Sequence, residues 1–347
     1  MNNISERRVI NSIDHTIDDY RVGLRQILEF LPGKDLINCL LVSTTFYREI
    51  TSNAKYMDKI AFNLVDKQMI LAQIVLTKTT RKYKHLKIKS VIECTIDFQP
   101  TKFKWQSIHF QDTYFCPYVL KFLRTFTKTV ESITFSNCKA FNGNPLELAP
   151  LFNKLQNIEF VDTASYDSIK ILCKFIVQFK ILKSLKIAQG GFGLLTDLLL
   201  KFKIKLQKLH LTNPKITNIS KTVDAFRTQK DCLKELTMEI LDPTSISFCW
   251  DELKCLEKIT LGAENPEIYG RFNEIKINFT IRSIRLNCES LPLYVYQSLS
   301  ISSPNLLVFI VSGAKLHDSD KKKAQQYSGI ELRKMFNSIK ISNPMLK

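Results

Sequence analysis

The side chains best able to do chemistry are few and scattered. The chain has five histidines, His15, His85, His109, His210 and His317, and nine cysteines. A metal or nucleophile centre needs such groups to converge, which in sequence commonly shows as C-x-x-C or H-E-x-x-H spacing. Neither occurs: the cysteines, among them Cys39, Cys94, Cys138 and Cys255, stand singly, and their odd total argues against a disulfide framework. His109 and His210 occupy the same place in a recurring pattern about 100 residues apart, so the polarity of a shared surface explains them more simply than catalysis. Gln189-Gly190-Gly191-Phe192-Gly193 lies after an expected strand and before an expected helix, the setting of a phosphate-binding loop. It is neither G-x-G-x-x-G nor a P-loop, and its glycines suit a turn that needs positive φ. No G-x-S-x-G element is present. The expectation is a chain that is not an enzyme and uses no metal and no cofactor.

The elements that carry these residues follow a repeat. The pattern apolar-x-x-apolar-x-apolar recurs ten times: Tyr83-Leu86-Ile88, Trp105-Ile108-Phe110, Val130-Ile133-Phe135, Leu155-Ile158-Phe160, Leu182-Leu185-Ile187, Leu206-Leu209-Leu211, Leu233-Leu236-Met238, Leu256-Ile259-Leu261, Ile281-Ile284-Leu286 and Leu306-Phe309-Val311. The hexads start 22 to 27 positions apart, a period of about 25. In a strand the side chains alternate, so the second and third apolar residues of each hexad point one way and their neighbours the other. One such unit cannot bury its apolar face; stacked in parallel, ten can. Between hexads lie stripes with helical spacing, Ile169, Leu172, Phe175, Ile176 and Phe179 in one, Leu195, Leu198, Leu199 and Phe202 in another. Pro243 to Cys255 and Asn265 to Thr280 are less periodic and predict irregular turns. Leu332, Met335, Phe336 and Ile339 predict a helix that caps the far end.

Ahead of the repeats, three short helical pieces fill about 40 residues. Leu24, Ile27, Leu28 and Leu31 form a stripe ended by Pro32-Gly33; Asp35 is placed to cap a second helix with Leu36, Ile37, Leu40 and Leu41; Ser43 is placed to cap a third with Phe46, Tyr47 and Ile50. So small a bundle buries too little surface to stand alone and needs a neighbour. The adjacent apolar pairs 36/37 and 40/41 make the second helix wide enough to face two partners.

The hexads resemble leucine-rich repeats, whose period is 20–29 residues. The Asn or Cys nine residues into that family's unit is matched only by Cys138, with Asn213 and Cys288 displaced by one, so the turns should be irregular. The segment Ile27-Leu28-Glu29-Phe30-Leu31-Pro32, Asp35-Leu36 and Val42-Ser43-x-x-Phe46 resembles the F-box, with Phe46 in place of a Trp and Asp19-Tyr20 in place of its opening Leu-Pro. An F-box before such repeats is the arrangement of the F-box/leucine-rich-repeat family. The resemblance implies an α/β solenoid, with parallel strands on the concave face and helices or helical turns on the convex face, behind a three-helix module. The expected organisation is a tail at 1–18, the module at 19–62, a linker helix at 63–82, repeats at 83–314 and a basic cap at 315–347.

The same resemblance implies a function. Such proteins are substrate-recognition subunits of ubiquitin ligases: the F-box docks on the Skp adaptor and through it a cullin, and the repeats hold the protein target. Carried over, the adaptor-facing residues are Ile27, Leu28, Leu31, Pro32, Leu36, Leu40, Val42 and Phe46. Roughly half of them are expected to be internal, because a small bundle must also fill its own core. The target-facing residues are those flanking the inward pairs, with His109, Glu159, Lys186, Lys208, His210, Glu235, Lys258 and Arg285 carrying the polarity. A scaffold of the same fold that recruits no ligase is the alternative.

Charge supports a protein target over nucleic acid. The chain carries 50 Lys and Arg against 33 Asp and Glu, a net +17, with a pI near 9.4. A nucleic-acid binder should align this excess with aromatics along one track. The thirty expected groove positions hold six cations and three acids, net +3, against about +1.5 for thirty average residues of this chain. The surplus lies elsewhere, above all at Lys78 to Lys89 and Lys315 to Lys347. The longest uncharged stretch, Ser290 to Ala314, contains two prolines and six serines, so no membrane span is expected. The opening MNNISERRVINSIDH lacks the apolar core of a signal peptide, and the expected location is the cytoplasm, the nucleus or both.

Overall fold

The structure is a computed structural model and describes residues 22–65, 74–76, 78–79, 81–90, 103–115, 128–141, 152–161, 176, 179, 181–188, 196, 199–200, 204–212, 219–239, 250–263, 276–288, 290–291, 298–299, 301–312, 315–316 and 340–341. Each hexad forms a strand. Twelve strands make one sheet: β1 (Ala61–Val65), β2 (His85–Lys89), β3 (Ser107–Gln111), β5 (Ser132–Ser136), β7 (Asn157–Val161), β8 (Ser184–Ala188), β9 (Lys208–Thr212), β10 (Glu235–Glu239), β11 (Lys258–Ala263), β12 (Ser283–Cys288), β14 (Val308–Ser312) and β16 (Lys340–Ile341). They pair in that order, every ladder parallel. Two-stranded parallel pairs join β4 (Tyr114–Phe115) to β6 (Lys139–Phe141) and β13 (Ser290–Leu291) to β15 (Lys315–Leu316). The molecule is thus a parallel-strand solenoid.

The register explains why the hexad spacing works. Leu86, Ile108, Ile133, Ile158 and Leu185 pair across successive strands, as do Ile88, Phe110, Phe135, Phe160 and Ile187. All ten residues are at most 4% exposed, and the first hexad residues, from Tyr83 to Leu306, are buried too. Burying a side chain of this size contributes roughly 1.5–3 kcal/mol, and the constant period lets every repeat bury the same positions. Identical register also stacks like on like: the rings of Phe110, Phe135 and Phe160 lie 5.7 and 5.3 Å apart, nearly parallel.

The turn after the strand is also repetitive. Ser90, Asp112 and Asn137, each eighth from its hexad start, adopt φ near +50°, and their N–H groups donate to Gln111, Ser136 and Val161 of the next repeat. One residue further on, the Cys138 thiol donates to the Phe110 and Ser136 carbonyls. Thr113, in the same position one repeat earlier, donates to the Ile88 and Gln111 carbonyls. A hydroxyl thereby does the work for which the sequence seemed to offer only a thiol.

Two strands of the twelve-stranded sheet lie beyond the ten hexads. β1 begins at Ala61, at the end of the expected module, and runs into the segment expected as a linker helix over 63–82; of that segment 63–65 are strand, 74–76 and 78 are helical, and 79 and 81–82 belong to no regular element. Its first hexad position is Lys59, which hides the motif, while Leu64 is buried. β16 adds a strand to the far end, and the helix expected through Leu332 and Ile339 lies outside the described residues, as do Ile169, Leu172, Phe175, Leu195, Leu198 and Phe202. Ile176, Phe179 and Leu199, from the same stripes, are buried. α5 (Ile219–Arg227) crosses between β9 and β10 and buries Thr222, Ala225 and Phe226. Behind it, buried Gln229 donates to the Ile204 carbonyl and accepts from the Leu206 N–H, tying one repeat to the one before. Asn278 does likewise, donating to Trp250 and Leu253 carbonyls.

The N-terminal module has four helical pieces rather than three: α1 over 22–30, α2 (Gly33–Cys39), α3 (Thr44–Ser52) and α4 (Ala54–Met57). Ser43 caps α3 as expected, accepting from the Phe46 N–H. Asp35 does not cap α2: the helix starts two residues earlier, behind Pro32, whose fixed φ suits a helix entrance, and Asp35 lies in the first turn. Gly33 sits so close to the chain at α4 that a Cβ would run into the Lys59 carbonyl oxygen. α4 itself brings Tyr56 and Met57 into the core, and Asn53 caps it.

Candidate functional site

The module's surface is decided by which side of each helix the solenoid needs. α1 turns Leu24 and Leu28 inward at i, i+4, and α2 turns Leu36 inward, leaving these three at most 5% exposed. The remaining faces are held by polar ties. Tyr56 donates from its hydroxyl to the Arg25 carbonyl at 3.0 Å, and Lys59 donates to the Glu29 and Leu31 carbonyls at the end of α1. Lys55 pairs with Glu29 at 2.6 Å, which holds the Glu29 carboxyl below its ordinary range and the Lys55 ammonium above its own. Burial pushes the Tyr56 phenol up.

The eight adaptor-facing candidates therefore separate. Leu28 and Leu36 are fully buried and pack the module, which removes them from any direct contact surface. Leu31, Leu40 and Phe46 are half-buried against the core, and Ile27, Pro32 and Val42 are exposed. Two residues outside the expected set are more exposed than Ile27 and Val42: Phe30 at 87% and Leu41 at 86%. Their signal in the sequence was the doublets Phe30-Leu31 and Leu40-Leu41, since one helix stripe cannot bury both members. Large apolar groups exposed this fully are the module's candidates for a contact surface.

The eight target-facing candidates share one face of the sheet. His109, Glu159, Lys186, His210 and Arg285 lie in a single row of paired residues running β3, β5, β7, β8, β9, β10, β11 and β12. Lys208, Glu235 and Lys258 lie in the adjacent row. Neighbouring charges cancel: Lys186 pairs with Glu159 at 2.5 Å, and Glu235 takes both Lys208 at 2.9 Å and Lys258 at 3.1 Å. Burial pushes the Glu235 carboxyl up, but hydrogen bonds from the two lysines outweigh it and leave its pKa lowered. A hollow of about 250 Å³ opens here, lined by Asn157, Glu159, Lys186, Lys208, His210 and Glu235.

Among the described residues the histidines do not converge on a common centre. His109 and His210 stand four strands apart in the row, about 19 Å at the usual strand spacing. Burial, and then Lys87 nearby, lower the His109 pKa. His85 shares a 2.7 Å hydrogen bond with Ser107. Among the described residues no group of three or more His, Cys, Asp or Glu could hold a metal, and no helix is long and apolar enough to cross a membrane.

Comparison with known proteins bears on the module. Residues 23–58 match the F-box domain family. No curated protein matches the chain. The matched segment runs from α1 to the end of α4 and stops just before β1, so the chain carries an F-box domain joined directly to a parallel-strand solenoid.

Proposed function

We propose that this chain is the substrate-recognition subunit of a Skp–cullin–F-box ubiquitin ligase and that its solenoid is a run of leucine-rich repeats holding the target. F-box domains generally bind the Skp adaptor, and the observation that carries the reading is the set of apolar side chains held in water on this F-box, Ile27, Phe30, Leu41 and Val42. The adaptor covers them; Leu31, Pro32, Leu40 and Phe46 border the contact. The sheet face with His109, Glu159, Lys186, Lys208, His210, Glu235, Lys258 and Arg285 meets a protein target through paired charges and hydroxyls. In this reading the chain does no bond chemistry, needs no cofactor, binds neither membrane nor nucleic acid and works in the cytoplasm or nucleus.

The test is co-purification of the full chain with the Skp adaptor, beside Phe30→Asp and Leu41→Asp variants. A charge at an apolar contact abolishes binding while leaving these exposed positions folded. If the natural chain fails to retain the adaptor, the ligase reading falls and the scaffold remains.

A further inference from the structure

The basic stretch Lys78 to Lys84, which has no acidic residue within it, belongs to neither surface above. It folds where the F-box meets the solenoid. Two adjoining hollows of about 500 and 680 Å³ share Thr79, Arg81, Lys82 and Lys84. The first adds Tyr83, Phe103 and Lys104; the second adds Lys78 and is walled by Tyr47, Met57 and Asp58 from α3, α4 and the turn after it.

Among the described residues, five cations thus meet one carboxylate, and that carboxylate is engaged: Asp58 pairs with Lys84 at 2.7 Å. Lys78, Lys82 and Lys104 are exposed and have no ion pair among the described residues. Arg81 is held without being neutralised. Its guanidinium lies 4.8 Å from the Tyr47 ring centre and donates to the Tyr83 hydroxyl at 3.2 Å, while its backbone N–H donates to Thr79. Both guanidinium partners are uncharged, so a planar fork with its full charge is fixed beside ammonium groups and over an aromatic floor. Multiply charged oxyanions are bound by such a fork with supporting lysines.

We propose that this junction binds a phosphorylated serine or threonine within a peptide segment. Arg81 takes the phosphate oxygens, and Lys82 and Lys104 supply further charge. A peptide fits better than a nucleic-acid strand because Lys78, Lys82 and Lys104 gather at two adjoining hollows instead of lining a track: Lys186, Lys208 and Lys258 on the sheet face are paired with Glu159 and Glu235. The site is independent of adaptor binding, so either reading can fail alone.

The full chain is passed over immobilised degenerate peptide libraries centred on phosphoserine or phosphothreonine, and over the same libraries centred on serine or threonine. Retention at least about tenfold greater on the phosphorylated libraries is expected, the scale of a charge-assisted hydrogen bond. It should be lost in Lys82→Glu/Lys104→Glu and fall in Arg81→Lys, which keeps the charge but loses the fork. Lys205→Glu/Lys254→Glu, with the same charge change at exposed sites on other repeats, should retain it. Circular dichroism checks that each variant is folded. Equal retention on both kinds of library, equal loss in the Lys205/Lys254 variant, or displacement by an oligothymidylate at lower concentration than by a retained phosphopeptide would each overturn the proposal.

Discussion

Leu28 and Phe30 stand two residues apart on α1, and replacing each with alanine should have opposite consequences. Leu28 is fully buried, so Leu28→Ala leaves a cavity and should cost about 2–5 kcal/mol of stability. Phe30 is 87% exposed, so Phe30→Ala should change stability by no more than about 0.5 kcal/mol. If the adaptor covers that ring, the same substitution forfeits most of a phenyl burial worth roughly 1.5–3 kcal/mol, which weakens binding about 10- to 80-fold. Urea unfolding measures the first quantity, and titration calorimetry with the purified adaptor the second. Phe30→Ala destabilising by more than about 1 kcal/mol, or Leu28→Ala leaving stability unchanged, would refute the assignment of the two faces. An unchanged affinity for Phe30→Ala would remove Phe30 from the contact.

Gly33→Ala should destabilise by about 1–3 kcal/mol, because the added methyl meets backbone at Lys59 and the chain must shift; a neutral result in urea unfolding would contradict that close approach. Gln229→Ala strips partners from the buried Ile204 carbonyl and Leu206 N–H and should cost about 1–3 kcal/mol, read from the urea midpoint; a loss below about 0.5 kcal/mol would mean that other groups satisfy them. Cys138 is buried with its thiol pKa pushed up to about 11, so at pH 8 iodoacetamide should modify it only after unfolding; rapid labelling of the native chain, located by mass spectrometry, would contradict this. The Glu235 pKa is lowered in the folded chain, so its charge adds stability above its ordinary value near 4.5, and that contribution is lost as pH falls through the lower folded value. The stability gap between the natural chain and Glu235→Gln should therefore be present at pH 6 and close under acid, and a gap that widens there would reverse the sign of the argument.

The strands were legible because the forces that make them are local and periodic. An apolar residue at positions one, four and six of each unit is enough to specify an alternating strand that needs identical neighbours, and all ten hexads became strands in one sheet. β1 escaped because Lys59 holds its first position, and its place is secured instead by pairing with β2 from Ala61 to Val65. The turn at Thr113 escaped for a related reason: only a donor is required there, and a hydroxyl serves where the pattern led one to look for Asn or Cys.

Which apolar side chains face a partner was not legible at the same level. The residues Leu24 to Phe46 announced three helices and an F-box-like order, but a doublet such as Phe30-Leu31 states only that one member must lie outside the stripe. The packing of α1 and α2 against α4 and the solenoid buried Leu28 and Leu36 and left Phe30 and Leu41 in water. The junction cations follow the same rule. Their number was written in the chain, whereas their gathering around Arg81 required Tyr47 of α3 and Phe103 and Lys104 of the next repeat to arrive from distant sequence. Periodicity along the chain determined the repeating strands, since each depends on its own few residues; tertiary packing decided the surfaces, since exposure depends on whichever neighbours the fold brings.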